Sequence, residues 1–231
     1  MTPKCTLFDF SGTLFRAEPA DQWLRAAADA VGQPLAPAEF ARCLTELQEV
    51  GAQPGGTPPR EVPAHLADGW RTRDLSGARH RAAYLAQSRQ VRLPHEDLHE
   101  ALYARHKEPS AWAPYPDAAE VLTALREHGV RIGVVSNIGW DLRPVFRAHG
   151  LDTYVDAYLL SFEHGIQKPD PALFQLACAT LGCCAPETVM VGDNRRADGG
   201  AAALGCRVHF VDPLPVAERP DSLRPLLDLL N

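Results

Sequence analysis

Several polar side chains stand where short apolar runs end. Asp9 lies in the last turn of the run at residues 5–10 (CTLFDF), and Ser136 and Asn137 follow 130–135 (VRIGVV). Lys168 comes a turn after 157–160 (AYLL), and Asp193 follows TVMVG. If these runs are neighbouring parallel strands, groups separated by 127, 32 and 25 positions converge on one pocket at the strands' carboxyl ends. Such a pocket holds two carboxylates, an ammonium and a hydroxyl. Two close carboxylates repel unless a cation lies between them, and a hard divalent ion such as Mg²⁺ meets that need while keeping several waters. Lys168 would balance the remaining negative charge as a compact, strongly hydrated point charge, unlike the planar fork of an arginine. The choice of lysine there stands out, because the 23 basic residues comprise 20 arginines and only Lys4, Lys107 and Lys168.

The elements that must position these groups read as alternating strands and helices. The runs at 130–135, 157–160, 188–191 and 207–211 are too continuously apolar for a half-exposed sheet. Between them, Ala118, Val121, Leu122 and Leu125 recur at helical spacing within 117–128, after Pro116 and before Gly129. Residues 171–181, ended by Gly182, and 197–204, ended by Gly205, repeat that grammar. The alternation predicts an α/β fold with a parallel sheet and helices on its faces. The first strand is set apart: after Ser11-Gly12 the next hundred residues contain no convincing strand, and 23–31, 38–50, 79–90 and 96–106 read as helices. The chain therefore divides into a core of residues 1–15 and 114–231 and a helical insertion at 16–113. A Pro/Gly-rich stretch at 51–63 is expected to be a mobile loop.

Composition narrows the function classes. The chain has 231 residues, 45% of them apolar, and a formal net charge of −6. It lacks the concentrated positive footprint that nucleic acid requires, so no nucleic-acid partner is expected. No apolar window approaches about 18 residues, and Met1-Thr2-Pro3-Lys4 leads into the first strand without a signal-like apolar region. A cytoplasmic protein without a membrane partner is expected. Cys5, Cys43, Cys178, Cys183, Cys184 and Cys206 form no CxxC pair or metal-ligand spacing. They read as small buried hydrophobes, and Cys183-Cys184 as a packing feature at a helix end.

The segments FDFSGTL (8–14), VVSN (134–137), GIQKPDPALF (165–174) and VGDNRRADGGAAALG (191–205) resemble, in order and spacing, the four motifs of the haloacid dehalogenase-like hydrolase superfamily. The resemblance implies a Rossmannoid three-layer core, with the insertion placed like that family's C1-type helical cap. It also implies an Asp9 nucleophile that forms an aspartyl-phosphate or, in the dehalogenase branch, an alkyl ester. Ser136 and Asn137 would bind the transferring group, and Lys168 would pair with Asp9 and the phosphoryl oxygens. Mg²⁺ would be held by Asp9, Asp193 and the main-chain carbonyl of Ser11, with Asp198 supporting it from behind. Thr13 would orient the nucleophile loop, and Gly12 would permit its tight turn.

One position departs from the pattern. Phosphatases of this family usually read DxDGT, the second Asp protonating the leaving alcohol and then activating water, whereas this chain reads Asp9-Phe10-Ser11-Gly12-Thr13. A hydroxyl near its ordinary pKa does that work poorly, and positioned acid–base catalysis is worth roughly 10²–10⁴-fold. Three readings follow. The first is a Mg²⁺-dependent phosphatase for a small phosphorylated metabolite with unusual turnover; the second is a weakened relative that binds a ligand or partner; the third is a dehalogenase, which needs no proton donor for halide departure. Five histidines of the insertion, His65, His80, His95, His99 and His106, are candidates for a supplied proton donor. Residues 60–92, with seven Arg against three acids, form either a solvated helical face or an anion-gathering wall.

Overall fold

The computed structural model describes residues 2–230; Met1 and Asn231, the outermost residues of the expected core, lie outside the described residues. Seven strands are present among the described residues: β1 (Cys5–Phe8), β2 (Phe15–Ala17), β3 (Trp112–Pro114), β4 (Arg131–Ser136), β5 (Ala157–Leu160), β6 (Thr188–Gly192) and β7 (Arg207–Phe210). Five of them form a parallel sheet in the order β5-β4-β1-β6-β7. Strand order reverses at β1, which puts the carboxyl end of β1 at the crevice where ligands bind in open α/β sheets. The register sets Phe8 beside Val134 and Val191, so the residues that follow these three strands emerge side by side.

Side chains alternate across the sheet and fill two apolar layers. Phe8, Ile132, Val134, Val189 and Val191 pack on one face against α6 (Ala118–Glu127) and α7 (Arg143–Ala148). Leu7, Val135, Leu159 and Met190 pack on the other face against α9 (Pro171–Leu181). The local chemistry of α9 fits its span. Pro171 occupies the first turn, the Asp170 carboxylate accepts from the Ala172 N–H at 2.9 Å, and Gly182 closes the helix at φ 63°. Where a helix is expected over 197–204, residues 198–204 form a 3₁₀ helix, because the paired Gly199-Gly200 give little α-helical preference.

Between β2 and β3 lie α1 (Ala20–Ala30), α2 (Pro37–Glu49), α3 (Ala67–Arg71), α4 (Gly77–Ser88) and α5 (Asp97–Arg105). Trp23, Leu24, Cys43, Leu47 and Leu102 give this insertion an apolar cluster of its own. The expectation of no strand in this stretch is corrected by β2 and β3, which pair antiparallel from Phe15↔Pro114 to Ala17↔Trp112. Three residues each are too few to carry a period, and their pairing joins positions almost a hundred residues apart. A Glu18–Arg105 ion pair, with N···O 2.6 Å, buttresses this two-stranded neck. In the 51–63 stretch Gln53 donates to the Glu18 carbonyl at 2.9 Å, and the Arg60 N–H donates to the Glu49 carbonyl at 2.9 Å.

The cysteine expectation also needs correction. Cys5, at the start of β1, and Cys183, just past α9, form a disulfide across 178 residues with Cα atoms 6.4 Å apart. Spacing along the chain could not reveal a pair that only the docking of α9 on the sheet creates. Cys43, Cys178 and Cys206 are buried and free, and Cys184 is exposed.

Phe10, Phe15, Trp112, Trp140 and Phe146 form one aromatic cluster beneath the neck, with Phe146 ring centroids 6.0 Å from Phe10 and 5.0 Å from Phe15. Phe146→Ala, which leaves a void in a close-packed site, is expected to lower the unfolding free energy by about 3–5 kcal/mol, read from urea denaturation.

Candidate active site

The carboxyl ends of β1, β4 and β6 meet under the insertion and bound a cavity of about 500 Å³ that contains Asp9, Ser11, Ser136, Asn137, Lys168 and Asp193. The sequence-predicted groups are thus gathered, with Thr13 and Asp198 buried behind them. Asp9 leaves β1 with its N–H donating to the Val191 carbonyl at 2.9 Å. The Lys168 Nζ lies 2.9 Å from Asp9 Oδ1 and 2.5 Å from Asp198 Oδ1, and it is 3% exposed. Burial works against that charge, yet Asp198 and Asp9 outweigh it and hold the ammonium above its ordinary pKa.

One carboxylate oxygen from each of Asp9, Asp193 and Asp198 falls within 4.8 Å of the others. This all-oxygen, anionic donor set suits a hard divalent cation. Asp198 is engaged on both sides, by Lys168 and by the Asn194 N–H at 2.9 Å on Oδ2, so it stands behind the pair Asp9 and Asp193. Burial first, and then the charge of Asp9, push the Asp193 carboxyl up to about 7.

Two glycines make this convergence sterically possible. Gly12 adopts φ 78°, and a Cβ there would come within 2.6 Å of Asp193 Oδ2. A Cβ on Gly192 would lie 2.2 Å from the Asp198 carboxyl. The loop that follows Asp9 is pinned by the N–H groups of Leu14 and Phe15 on the Phe10 carbonyl, at 3.1 and 3.0 Å. The Arg219 guanidinium also pins it, donating to the Gly12 carbonyl at 2.6 Å and to the Thr13 carbonyl while stacking on Tyr115. Arg219 lies more than 200 residues from the loop, and no sequence signal marked it. The Thr13 hydroxyl, expected to orient the loop, is buried without a protein partner, so main-chain and Arg219 contacts hold the loop.

Asn137 lines the cavity, but its amide is spent on Lys168. Its Nδ2 donates to the Lys168 carbonyl at 2.8 Å, and its Oδ1 accepts from the Lys168 N–H at 2.7 Å. This reciprocal pair fixes the lysine's backbone, so Asn137 positions Lys168, while Ser136, 2% exposed at the end of β4, faces the cavity.

The insertion supplies the opposite wall. Gly55 of the Pro/Gly loop sits over Ser11, and Trp70, Arg73, Asp74, His80 and Tyr84 line the cavity above the sheet. Sequence reading did not single out Arg73 or Asp74 within the Arg-rich segment. Structure divides that segment: Arg71 and Arg81 are exposed and paired with Asp68 and Glu100, whereas Arg73 turns inward, stacked on Trp70 at 4.3 Å. Of the five histidines, only His80 reaches the cavity. It is buried against the Tyr103 hydroxyl at 2.9 Å, and burial drives its pKa down to about 3.

A family model for haloacid dehalogenase-like hydrolases matches residues 3–205. The phosphoserine phosphatase of Thermus thermophilus is 32% identical over 201 residues, 86% of this chain and 71% of that protein. The ribulose-1,5-bisphosphate 5-phosphatase of Halopiger xanaduensis is 38% identical over 109 residues; the match spans 46% of this chain and under half of that protein's length, 46%. Among solved structures, a dehalogenase superposes with a TM-score of 0.67 at 25% identity, covering 98% of this chain and 96% of that one.

The raised Asp193 carboxyl has a signed consequence for the metal-free protein. Asp193 binds its proton more tightly folded than unfolded, where the value is about 3.9, so ionising it costs stability as pH rises. Asp193→Asn should therefore unfold at a higher temperature than the native chain without added metal. The gain is absent below pH about 4, grows between 4 and about 7, and stays constant above that, as thermal melts across pH would read.

Proposed function

Since the chain belongs to the haloacid dehalogenase-like hydrolases, we propose that it is a Mg²⁺-dependent phosphatase acting on a small phosphorylated metabolite through an aspartyl-phosphate at Asp9. The observation that carries this reading is the buried cluster in which Lys168 bridges Asp9 and Asp198 while Asp193 faces the same point. Asp9, Asp193 and the Ser11 carbonyl would hold the ion, which when bound offsets charge on the phosphoryl oxygens.

The chain's own groups supply the rest. The Asp9 carboxylate attacks phosphorus, and the Lys168 ammonium, fixed by its two carboxylates, stabilises the negative charge that gathers on the phosphoryl oxygens. Ser136 at the end of β4 donates its hydroxyl to the same group. Water then opens the aspartyl-phosphate and frees Asp9. The insertion acts as a cap that excludes bulk water, and a cavity of about 500 Å³ limits the substrate to a small molecule. The phosphatase relatives point the same way, since their named substrates are small phosphate esters. A dehalogenase reading draws on the solved dehalogenase and on the Ser at position 11; three carboxylates around one lysine, poised for a cation, favour phosphate.

Phosphate release from a panel of aryl, acyl and alkyl phosphates should depend on added Mg²⁺ and fall by at least about 10³-fold in Asp9→Asn. Metal-independent halide release from 2-haloacids, with no phosphate release, would replace the phosphatase by a dehalogenase.

A further inference from the structure

An alkoxide leaving phosphorus needs a proton, and the water that opens the aspartyl-phosphate must lose one; the Ser11 hydroxyl does neither well. The remaining ionisable groups of the cavity can be taken in turn. Asp9 is the nucleophile and Asp193 faces the cation. The guanidinium groups of Arg16 and Arg73 offer hydrogen-bond donors and no acceptor, so they supply no base. Lys168 is locked as an ammonium between two carboxylates. The Tyr84 phenol is pushed up by burial, and His80 is neutral. Asp74 is left.

Its placement fits that residue to the task. Asp74 is 4% exposed and lies in the 3₁₀ turn Arg73–Leu75 of the insertion, lining the same cavity as Asp9, Ser11 and Lys168. Two latches suspend this turn over the site, and each is anchored next to a residue of the core machinery. Ser161 Oγ bonds the Asp74 carbonyl at 2.6 Å and accepts from the Ile138 N–H at 2.9 Å, two residues past Ser136. Gln167, the neighbour of Lys168, donates to the Arg71 carbonyl at 2.9 Å. The carboxylate stands 3.4 Å from Arg73 and 3.9 Å from His80, beyond the roughly 2.7–2.9 Å of a charge-assisted hydrogen bond. It is not consumed by a tight ion pair.

We propose that Asp74 is the general acid and base of the reaction, supplied by the insertion in place of the carboxyl missing at position 11; the proposal rests on the phosphatase reading above. As Asp9 bonds to phosphorus and the P–O bond to the alcohol breaks, the Asp74 carboxyl gives its proton to the departing oxygen, and the alcohol leaves neutral. The Asp74 carboxylate then takes a proton from water as the water oxygen bonds to phosphorus. The bond to Asp9 breaks, inorganic phosphate departs, and both carboxyl groups regain their starting forms. The groups facing Asp74 are Arg73 on its own turn, His80 and Tyr84 on α4, Tyr103 on α5, and Lys168 and Asp9 in the core. Burial raises its pKa; Arg73 and then Lys168 oppose that, and Asp9 adds to it.

Two probes with different leaving groups test the assignment: β-glycerophosphate, whose alkoxide must be protonated, and p-nitrophenyl phosphate, whose phenolate leaves unaided. Asp74→Asn should lower kcat/KM for β-glycerophosphate by about 10²–10⁴-fold. The loss on p-nitrophenyl phosphate should be at least about tenfold smaller, and a burst of nitrophenol should appear because the second step lacks its base. Ser11→Asp in the Asp74→Asn background should restore the alkyl ester. Equal losses on both esters, or none, overturn the proposal while the phosphatase reading stands. If the native protein with Mg²⁺ hydrolyses neither ester, the proposal falls, and the phosphatase reading falls with it only if the acyl phosphates of the panel also release nothing. Should Asp74→Asn not fold, the native pH profiles decide. Turnover of β-glycerophosphate should decline with rising pH relative to that of p-nitrophenyl phosphate, and parallel profiles refute the role.

Discussion

An ammonium buried among three carboxylates is the constraint to which the rest of the molecule answers. Removing each of these ions from water costs several kcal/mol, and only close, well-aligned partners recover it. Lys168 finds them at 2.5 and 2.9 Å, so it keeps its proton despite being 3% exposed. The carboxylates are less content. Three negative groups face one positive one, and the excess appears as a raised Asp193 carboxyl that a divalent cation would relieve. Electrostatic tension of this kind has to be built into a rigid frame, because a soft one would let the groups drift apart.

The frame is the parallel sheet. Asp9 and Asp193 follow β1 and β6, and Ser136 ends β4; the register of these strands is fixed by main-chain bonds and by apolar layers on both faces. The polar cluster thus inherits its precision from Phe8, Val134 and Val191. Smaller devices complete it: the missing side chains of Gly12 and Gly192, the Asn137 amide that grips the Lys168 backbone, and the Arg219 fork that ties down the loop after Asp9.

The insertion meets this frame through a hinge and two latches. The β2–β3 neck and the Glu18–Arg105 pair join it covalently and electrostatically at its base. At the other side, Ser161 and Gln167 hold the turn that carries Arg73 and Asp74. Single hydrogen bonds of this type are worth only about 0.5–1.5 kcal/mol each, so these two contacts hold the turn lightly.

Much of this was legible in the residue order. Continuous apolar runs with polar groups at their ends announce buried parallel strands, since local periodicity and end position are properties of short segments. Asp9, Ser136, Lys168 and Asp193 could therefore be placed at strand ends before any coordinates, as could the boundaries of α9, while Asp198 was marked only by the resemblance of its motif. The three-residue strands of the neck, the Cys5–Cys183 disulfide, the grip of Arg219 on residues 12 and 13, and the inward turn of Arg73 and Asp74 were not. Each joins positions far apart in the chain or depends on which way a short turn faces once packed. The sequence by itself determined which groups could do chemistry and that the strands would carry them; the tertiary structure alone decided which residue of the insertion faces them, because that choice is made by packing between surfaces and by no local pattern.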